Sequence, residues 1–309
     1  MRRLVAVAAT AIAATACGRS AHGTAPAPSN TPAATAVDPT PVAAAEPPPE
    51  ATAPPDEPPP PPTPPYLAGT WTSACMPGAT KGASTQLTAT ITDGTWILAV
   101  DAFRDPACRT HAAQLRTEGA YALTAPSTVV SGAWEARIDF ARRTLVVDDA
   151  ATAKAMSRTC KLGARPRPKQ PVDVLAAGCP GLQVHPAATC AGDHDIVALV
   201  GGALQLGARP SDNDLCTAAR RPTALEPTLA LAPVLPVLGI PACDAYFRRA
   251  TDFAACPAFP LDTKRAMIEA RAAMIAAAIA MPPAERAKME PACQAATDAL
   301  TSALASLGC

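Results

Sequence analysis

The chain has 309 residues, with 26 basic and 26 acidic side chains, 36 prolines, 11 aromatics and 11 cysteines. That length accommodates about two domains, and a formal net charge of +0 supplies no basic excess for nucleic acid or an acidic surface, since phosphate binding needs cations gathered on one face. Eleven cysteines are many for a reducing compartment and odd for a chain in which every thiol is bridged.

Met1-Arg2-Arg3 is a short basic start, and Leu4 to Ala14 is an uncharged run of eleven residues. A bilayer span needs roughly 20, so residues 1–16 read as a secretory signal peptide. The segment ends in Ala14-Thr15-Ala16-Cys17. Small residues directly before a cysteine resemble a bacterial lipobox. The resemblance implies that Cys17 is acylated through its sulfur, as by palmitate, and anchors the mature protein in a membrane. Gly18 stands where an aspartate would mark inner-membrane retention, which by the same resemblance implies the outer membrane. The other reading is an ordinary A-x-A cleavage site that leaves Cys17 as a free thiol. Removing Cys17 leaves ten cysteines, an even number.

From Gly18 to Pro65 there is no aromatic, leucine, isoleucine or methionine, and 17 of the 36 prolines lie here. Such a segment has nothing with which to bury a core. Residues 17–65 therefore read as the lipidated cysteine and a disordered Pro/Ala-rich tether, partly polyproline II, whose use is distance. Its ceiling is roughly 150 Å at ~3.1 Å per residue.

Every aromatic lies at or after Tyr66, which places the start of folded structure there. Residues 66–231 read as short strands. Leu87, Ala89 and Ile91 alternate with threonines, Asp93-Gly94 turns the chain, and Trp96, Leu98 and Val100 alternate on the return, a hairpin pattern. Further strands are expected at Gln114 to Leu123, Trp134 to Phe140, Thr144 to Asp148, Ile196 to Val200 and Ala203 to Gly207, with a short helix over Asp149 to Cys160. Strands without helical crossovers favour an antiparallel sheet closed into a barrel, which leaves no exposed edge.

The first strand opens on Gly69-Thr70-Trp71, a G-x-W that resembles the lipocalin signature. With Phe103-Arg104-Asp105-Pro106-Ala107-Cys108 and Gly119-Ala120-Tyr121, the pattern resembles the lipocalin-like domain named for the adenomatosis polyposis coli down-regulated protein. It is also similar to bacterial lipoproteins that end this module with a Leu-x-x-Gly strand and an Arg-Pro-Thr-x-Leu tail, here Leu204-Gln205-Leu206-Gly207 and Arg221-Pro222-Thr223-Ala224-Leu225. The resemblance implies a small barrel that binds an apolar ligand, with Trp71, Trp96, Phe103, Tyr121, Trp134 and Phe140 as lining or plug residues. The alternative is that these six fill a barrel packed shut by its own side chains.

No catalytic signature is present: the chain lacks G-x-S-x-G, H-E-x-x-H, a Walker lysine loop and C-x-x-C. The expectation is a non-enzyme without cofactor or metal. Asp193-His194-Asp195, with His185 upstream, is the densest group of potential metal ligands, but an extended strand puts His194 on one face and both aspartates on the other. The triplet reads as a solvated turn before the Ile196 strand. Ser211-Asp212-Asn213-Asp214 resembles half a calcium loop, yet it lacks the glycine and distal glutamate of one, and reads as a polar loop. His111 lies near Cys108, but a bridged sulfur is no nucleophile.

Residues 239–309 turn to alanine-rich helix. Pro241 opens a helix to about Cys256; Asp262 or Thr263 caps a second, stopped by Pro282-Pro283; a third runs from Ala284 toward Leu307, with Pro291 able to kink or divide it. Up-down-up helices make the outer two parallel. The intervals Cys243 to Cys256 and Cys293 to Cys309 nearly match along helices rising about 1.5 Å per residue, which pairs Cys243 with Cys293 and Cys256 with Cys309. Antiparallel outer helices would pair Cys243 with Cys309 instead. Spacing does not settle the barrel connectivity; the expected set is Cys75–Cys108, Cys160–Cys216 and Cys179–Cys190.

The sequence thus describes an α+β multidomain protein, an antiparallel lipocalin-like β-barrel followed by a small disulfide-stapled three-helix module. The expected function is that of a non-enzymatic envelope lipoprotein, joined to the membrane by a lipid anchor and binding an apolar molecule or an envelope protein. The alternative is a structural or protein-interaction role with a packed barrel and no ligand.

Overall fold

The computed structural model describes residues 62–309; the signal peptide, Cys17 and the tether up to Pro61 lie outside the described residues. Eight antiparallel strands close a barrel in the order β1 (Gly69–Ser73), β3 (Ser84–Thr92), β4 (Thr95–Phe103), β5 (His111–Pro126), β6 (Trp134–Val147), β8 (Gly192–Val200), β9 (Ala203–Gly207) and β10 (Leu225–Pro233). Closure occurs at β1, where Trp71 lies opposite Ala89 on one side and Pro233 on the other. Two short strands are accessory: β2 (Met76–Pro77) pairs with β3, and β7 (Val172–Asp173) with β6.

The alternation in the sequence explains most of this. On β3 and β4 the register runs without interruption from Thr92 opposite Thr95 to Ser84 opposite Phe103. The two-residue turn between them needs Gly94, whose φ is +75°. The expected strands at Trp134 to Phe140 and Thr144 to Asp148 are one continuous β6. The Arg221-to-Leu225 tail leads into β10, the strand that completes the barrel. It alternates poorly, with Glu226, Pro227 and Thr228 interrupting its apolar residues, so only pairing to β1 and β9 makes it a strand.

The interior has two packed ends. Leu67, Trp71, Ala89, Ile91, Leu204 and Leu231 fill one. At the other, helix α1 (Ala150–Thr159) lies across the barrel, with Ala153 buried among Leu145, Val147, Val174 and Cys179. The helix starts where it does because the Asp149 carboxylate accepts from the amides of Ala151 and Thr152, at 2.8 and 2.9 Å.

Three disulfides fasten the barrel: Cys75–Cys108, Cys160–Cys179 and Cys190–Cys216. The expected Cys160–Cys216 and Cys179–Cys190 bridges are not formed. The end of α1 lies against the 3-10 turn Pro180–Leu182, which puts Cys160 beside Cys179. The chain around Cys216 runs along β8, where His194 donates its amide to Leu215 O at 2.7 Å, and there it meets Cys190.

The C-terminal helices are α2 (Pro241–Ala255), α3 (Leu261–Ala280), α4 (Pro283–Ala287) and α5 (Glu290–Ser306). The expected third helix is divided at Lys288-Met289, so that Pro291 falls in the first turn of α5, where a missing amide hydrogen costs nothing. Cys243–Cys293 and Cys256–Cys309 join α2 to α5 and to the residue that follows it, the rungs of two parallel helices. Tyr246, Phe247, Phe253, Leu300 and Leu304 form the core between them. Lys264 on α3 is fully buried, and its Nζ donates to the carbonyls of Pro64 (3.1 Å) and Thr63 (3.4 Å) just ahead of the barrel. Among the described residues no helix is long and apolar enough to cross a membrane.

Candidate functional site

Between the two packed ends lies a cavity of about 350 Å³. Its walls are the inward positions of β3 to β6, β8 and β9, among them Leu87, Trp96, Leu98, Leu115, Ile138 and Phe140. Met156 of α1, the segment Leu182 to His185 and Asn213 line one end. The Cys160–Cys179 bridge ties the first two of these together.

Four charged side chains also reach this apolar space: Arg143, Asp193, Asp195 and Arg209. Asp193 and Asp195 sit on β8 opposite Ile138 and Ala136 of β6, at 6% and 0% exposure. The solvated turn expected for Asp193-His194-Asp195 is therefore a strand that carries both aspartates inward and His194 outward. Burial and the Arg137 and Arg221 cations push the His194 imidazole toward its neutral form. Among the described residues no group of His, Cys, Asp or Glu side chains converges as a metal site.

The polar groups are unequally satisfied. Arg209 Nη2 pairs with Asp193 Oδ2 at 2.7 Å and stands 3.6 Å from Asp195 Oδ2. Asp195 Oδ1 accepts the backbone amide of Gly207 at 3.0 Å, while its Oδ2 has no hydrogen-bond partner. Burial raises the Asp195 carboxyl to about 6, with Arg209 and the amides of Ile196 and Gly207 acting in the opposite direction. Arg143 is 7% exposed. Its Nη1 donates to the His185 carbonyl at 2.9 Å and its Nε has no partner. Burial lowers its pKa from the usual guanidinium value.

Arg143 faces inward because β6 contains a bulge. Gly119 of β5 lies opposite Phe140 and Glu118 opposite Arg142, so Ala141 has no partner. The extra residue shifts the alternation, and Phe140, Arg143 and Leu145 all face the interior. Gly119 permits this: a Cβ there would lie 1.7 Å from the Asp139 carbonyl oxygen.

Of the six aromatics expected to line or plug the barrel, Trp96 and Phe140 are in the cavity wall. Trp71 is buried in the opposite end, its Nε1 donating to Leu67 O at 2.9 Å. Tyr121 stands 6.2 Å from Trp96, ring centroid to centroid, and with Trp134 packs against the apolar cluster that contains Trp71 and Trp96, outside the cavity lining. Phe103 meets His111 edge-on at 5.5 Å, outside the cavity lining. The Ser211-to-Asp214 segment is a polar loop whose Asp212 and Asp214 both pair with Arg220. The sequence singles out Asp193 and Asp195, but as a solvated turn; Arg143 and Arg209 are not singled out, because an arginine breaks an apolar alternation. Arg142-Arg143 after Phe140 was the available signal, but its meaning depends on the bulge.

No family model matches this chain, and a search of curated proteins finds no relative. The geometry is that of a closed antiparallel barrel, compatible with lipocalin-like ligand binding, with an internal cavity that is apolar along its walls and charged at one side.

Proposed function

We propose that the protein is an exported, lipid-anchored envelope protein whose barrel binds an apolar small molecule, without enzymatic activity. The observation that carries the binding is the cavity: about 350 Å³ at the lower end of the size range of ligand pockets, walled by apolar side chains with a few convergent polar groups. Five disulfides use every cysteine after Cys17, which fits an oxidising compartment and leaves Cys17 as the one sulfur available for acylation. Trp96 in the cavity wall provides the test. Titrating the purified protein with 1-aminoanthracene, a neutral fluorophore, gives saturable quenching of tryptophan emission that is diminished by Leu98→Trp, which fills the cavity. Unsaturable or absent quenching rejects ligand binding. Mass spectrometry of the mature N-terminus tests the anchor, and an unmodified Cys17 rejects it.

A second reading, surface contact in the envelope without a ligand, draws on residues 154–169. Lys154, Arg158, Lys161, Arg165, Arg167 and Lys169 are all exposed, with no acidic residue between Asp149 and Asp173. Net neutrality of the whole chain conceals this local excess, which suits an anionic surface. Salt-sensitive binding to phosphatidylglycerol vesicles, lost when the six are changed to glutamine, tests it.

A further inference from the structure

The cavity contains one cation, Arg143, that makes no ion pair with any carboxylate of the described residues, although Asp193 in the same lining acts on it at longer range. Arg209 is neutralised by Asp193 at 2.7 Å. Arg143, almost fully buried, has a single hydrogen bond, to a backbone carbonyl, and lies over the Phe140 ring with its guanidinium carbon 3.6 Å from the centroid. Among the described residues no carboxylate forms an ion pair with it. Burying a guanidinium without a counter-charge is costly, and an aromatic face offsets part of that at most. Its neighbours in the lining, Leu115, Phe140 and Leu145, are apolar. A buried, underpartnered donor in the wall of a largely apolar cavity is the arrangement that a ligand's acidic head completes, through a charge-assisted hydrogen bond in a low-dielectric site.

We infer that the barrel's ligand is an amphipathic carboxylic acid, its head paired with Arg143 and its apolar tail along Trp96, Leu98, Ile138 and Phe140. The inference rests on the ligand-binding reading above and deepens it. A monoanionic carboxylate suits the site better than a phosphate dianion, whose second charge would face Asp193 and Asp195 in the same cavity. The other titratable or charged side chains lining the cavity are Asp193, Asp195, Arg209 and His185, whose backbone carbonyl already holds Arg143. With Asp193 and Arg209 balancing each other, a bound carboxylate compensates Arg143 and leaves Asp195 to be neutralised by a proton. Binding of the acid therefore strengthens as pH falls from 7.5 to 5.5, while binding of a neutral analogue does not.

The test is displacement of 1-aminoanthracene by dodecanoate, dodecyl phosphate, methyl dodecanoate and dodecanol, using the full mature chain. In the wild-type protein dodecanoate is expected to bind at least tenfold more tightly than the ester, the alcohol or the phosphate. Arg143→Met abolishes the preference for the acid over the alcohol, and Arg143→Lys retains part of it. Equal affinity for acid and alcohol in the wild type overturns the inference while leaving apolar binding intact, and so does an undiminished preference in Arg143→Met. Tighter binding of the phosphate overturns the choice of carboxylate. Displacement by none of the four overturns the inference, and failure of 1-aminoanthracene itself to bind overturns the ligand-binding reading with it. If Arg143→Met does not fold, the wild-type comparison of acid with alcohol decides by itself.

Discussion

The guanidinium carbon of Arg143 stands 3.6 Å from the ring centroid of Phe140, three residues earlier on the same strand. In a regular strand, residues three apart face opposite sides. The unpaired Ala141 brings both to the interior, so one inserted residue gives an apolar wall its cation.

The bulge depends on the close approach of β5 and β6 at Gly119. Gly119→Ala places a methyl group 1.7 Å from the Asp139 oxygen and is expected to cost about 3 kcal/mol or more in urea unfolding. Gly163→Ala, where an added Cβ meets nothing within 4 Å, serves as the control and is expected to change stability by no more than about 0.5 kcal/mol. Equal effects at the two positions would contradict the packing described here.

Asp195 makes stability fall as pH rises. Its folded pKa, about 6, lies above the ordinary 3.8, so the folded state holds a proton that the unfolded chain has released across that interval. Its contribution is fully present below 3.8 and is lost as pH rises to about 6. Asp195→Asn keeps an oxygen for the Gly207 amide and removes the charge. It is expected to raise the melting temperature at pH 7.5, with the gain shrinking to nothing near pH 4; a gain independent of pH refutes the assignment.

His111 has the opposite sign of group but also loses stability with rising pH. Its Nδ1 lies 2.7 Å from Asp148 and its Nε2 3.0 Å from Asp101. Burial would lower its pKa, but the two carboxylates together outweigh burial and raise it above 6.5. The stabilisation is complete below pH 6.5 and disappears as pH passes the folded value. His111→Gln is expected to lower the melting temperature at pH 5.5 more than at pH 9, and an NMR titration of the ring places its midpoint above 6.5.

The helical module relies on its rungs. Cys243 and Cys293 are 50 residues apart, and a loop of that size restricts the unfolded chain by about 4 kcal/mol in the chain-entropy treatment. Replacing both with alanine is expected to lower the melting temperature of the helices by more than 10 °C while the near-ultraviolet signal of the barrel tryptophans persists. Peptide mapping without reduction should recover Cys160–Cys179 and Cys190–Cys216 as linked pairs.

The helical rungs were legible in the sequence because two nearly equal cysteine intervals on parallel helices admit one pairing. The hairpin at residues 87–100 was legible because alternation and an Asp-Gly turn act locally. The barrel cysteines had no such rule: Cys160 meets Cys179 because α1 folds back onto a turn, and Cys190 meets Cys216 because a loop runs along β8. Asp193 and Asp195 resembled a solvated turn because carboxylates in a strand look misplaced until Arg209, from beyond the end of β9, is seen beside them.

Local composition and periodicity thus determined the fold class, the start of folded structure at Tyr66, the hairpin and the stapled helices, since each depends on residues close in the chain or on a repeating interval. Only the tertiary structure decided which side chains share the cavity. An unpaired residue on one strand sets the facing of every residue after it, and that shift exists only once the neighbouring strand supplies the register.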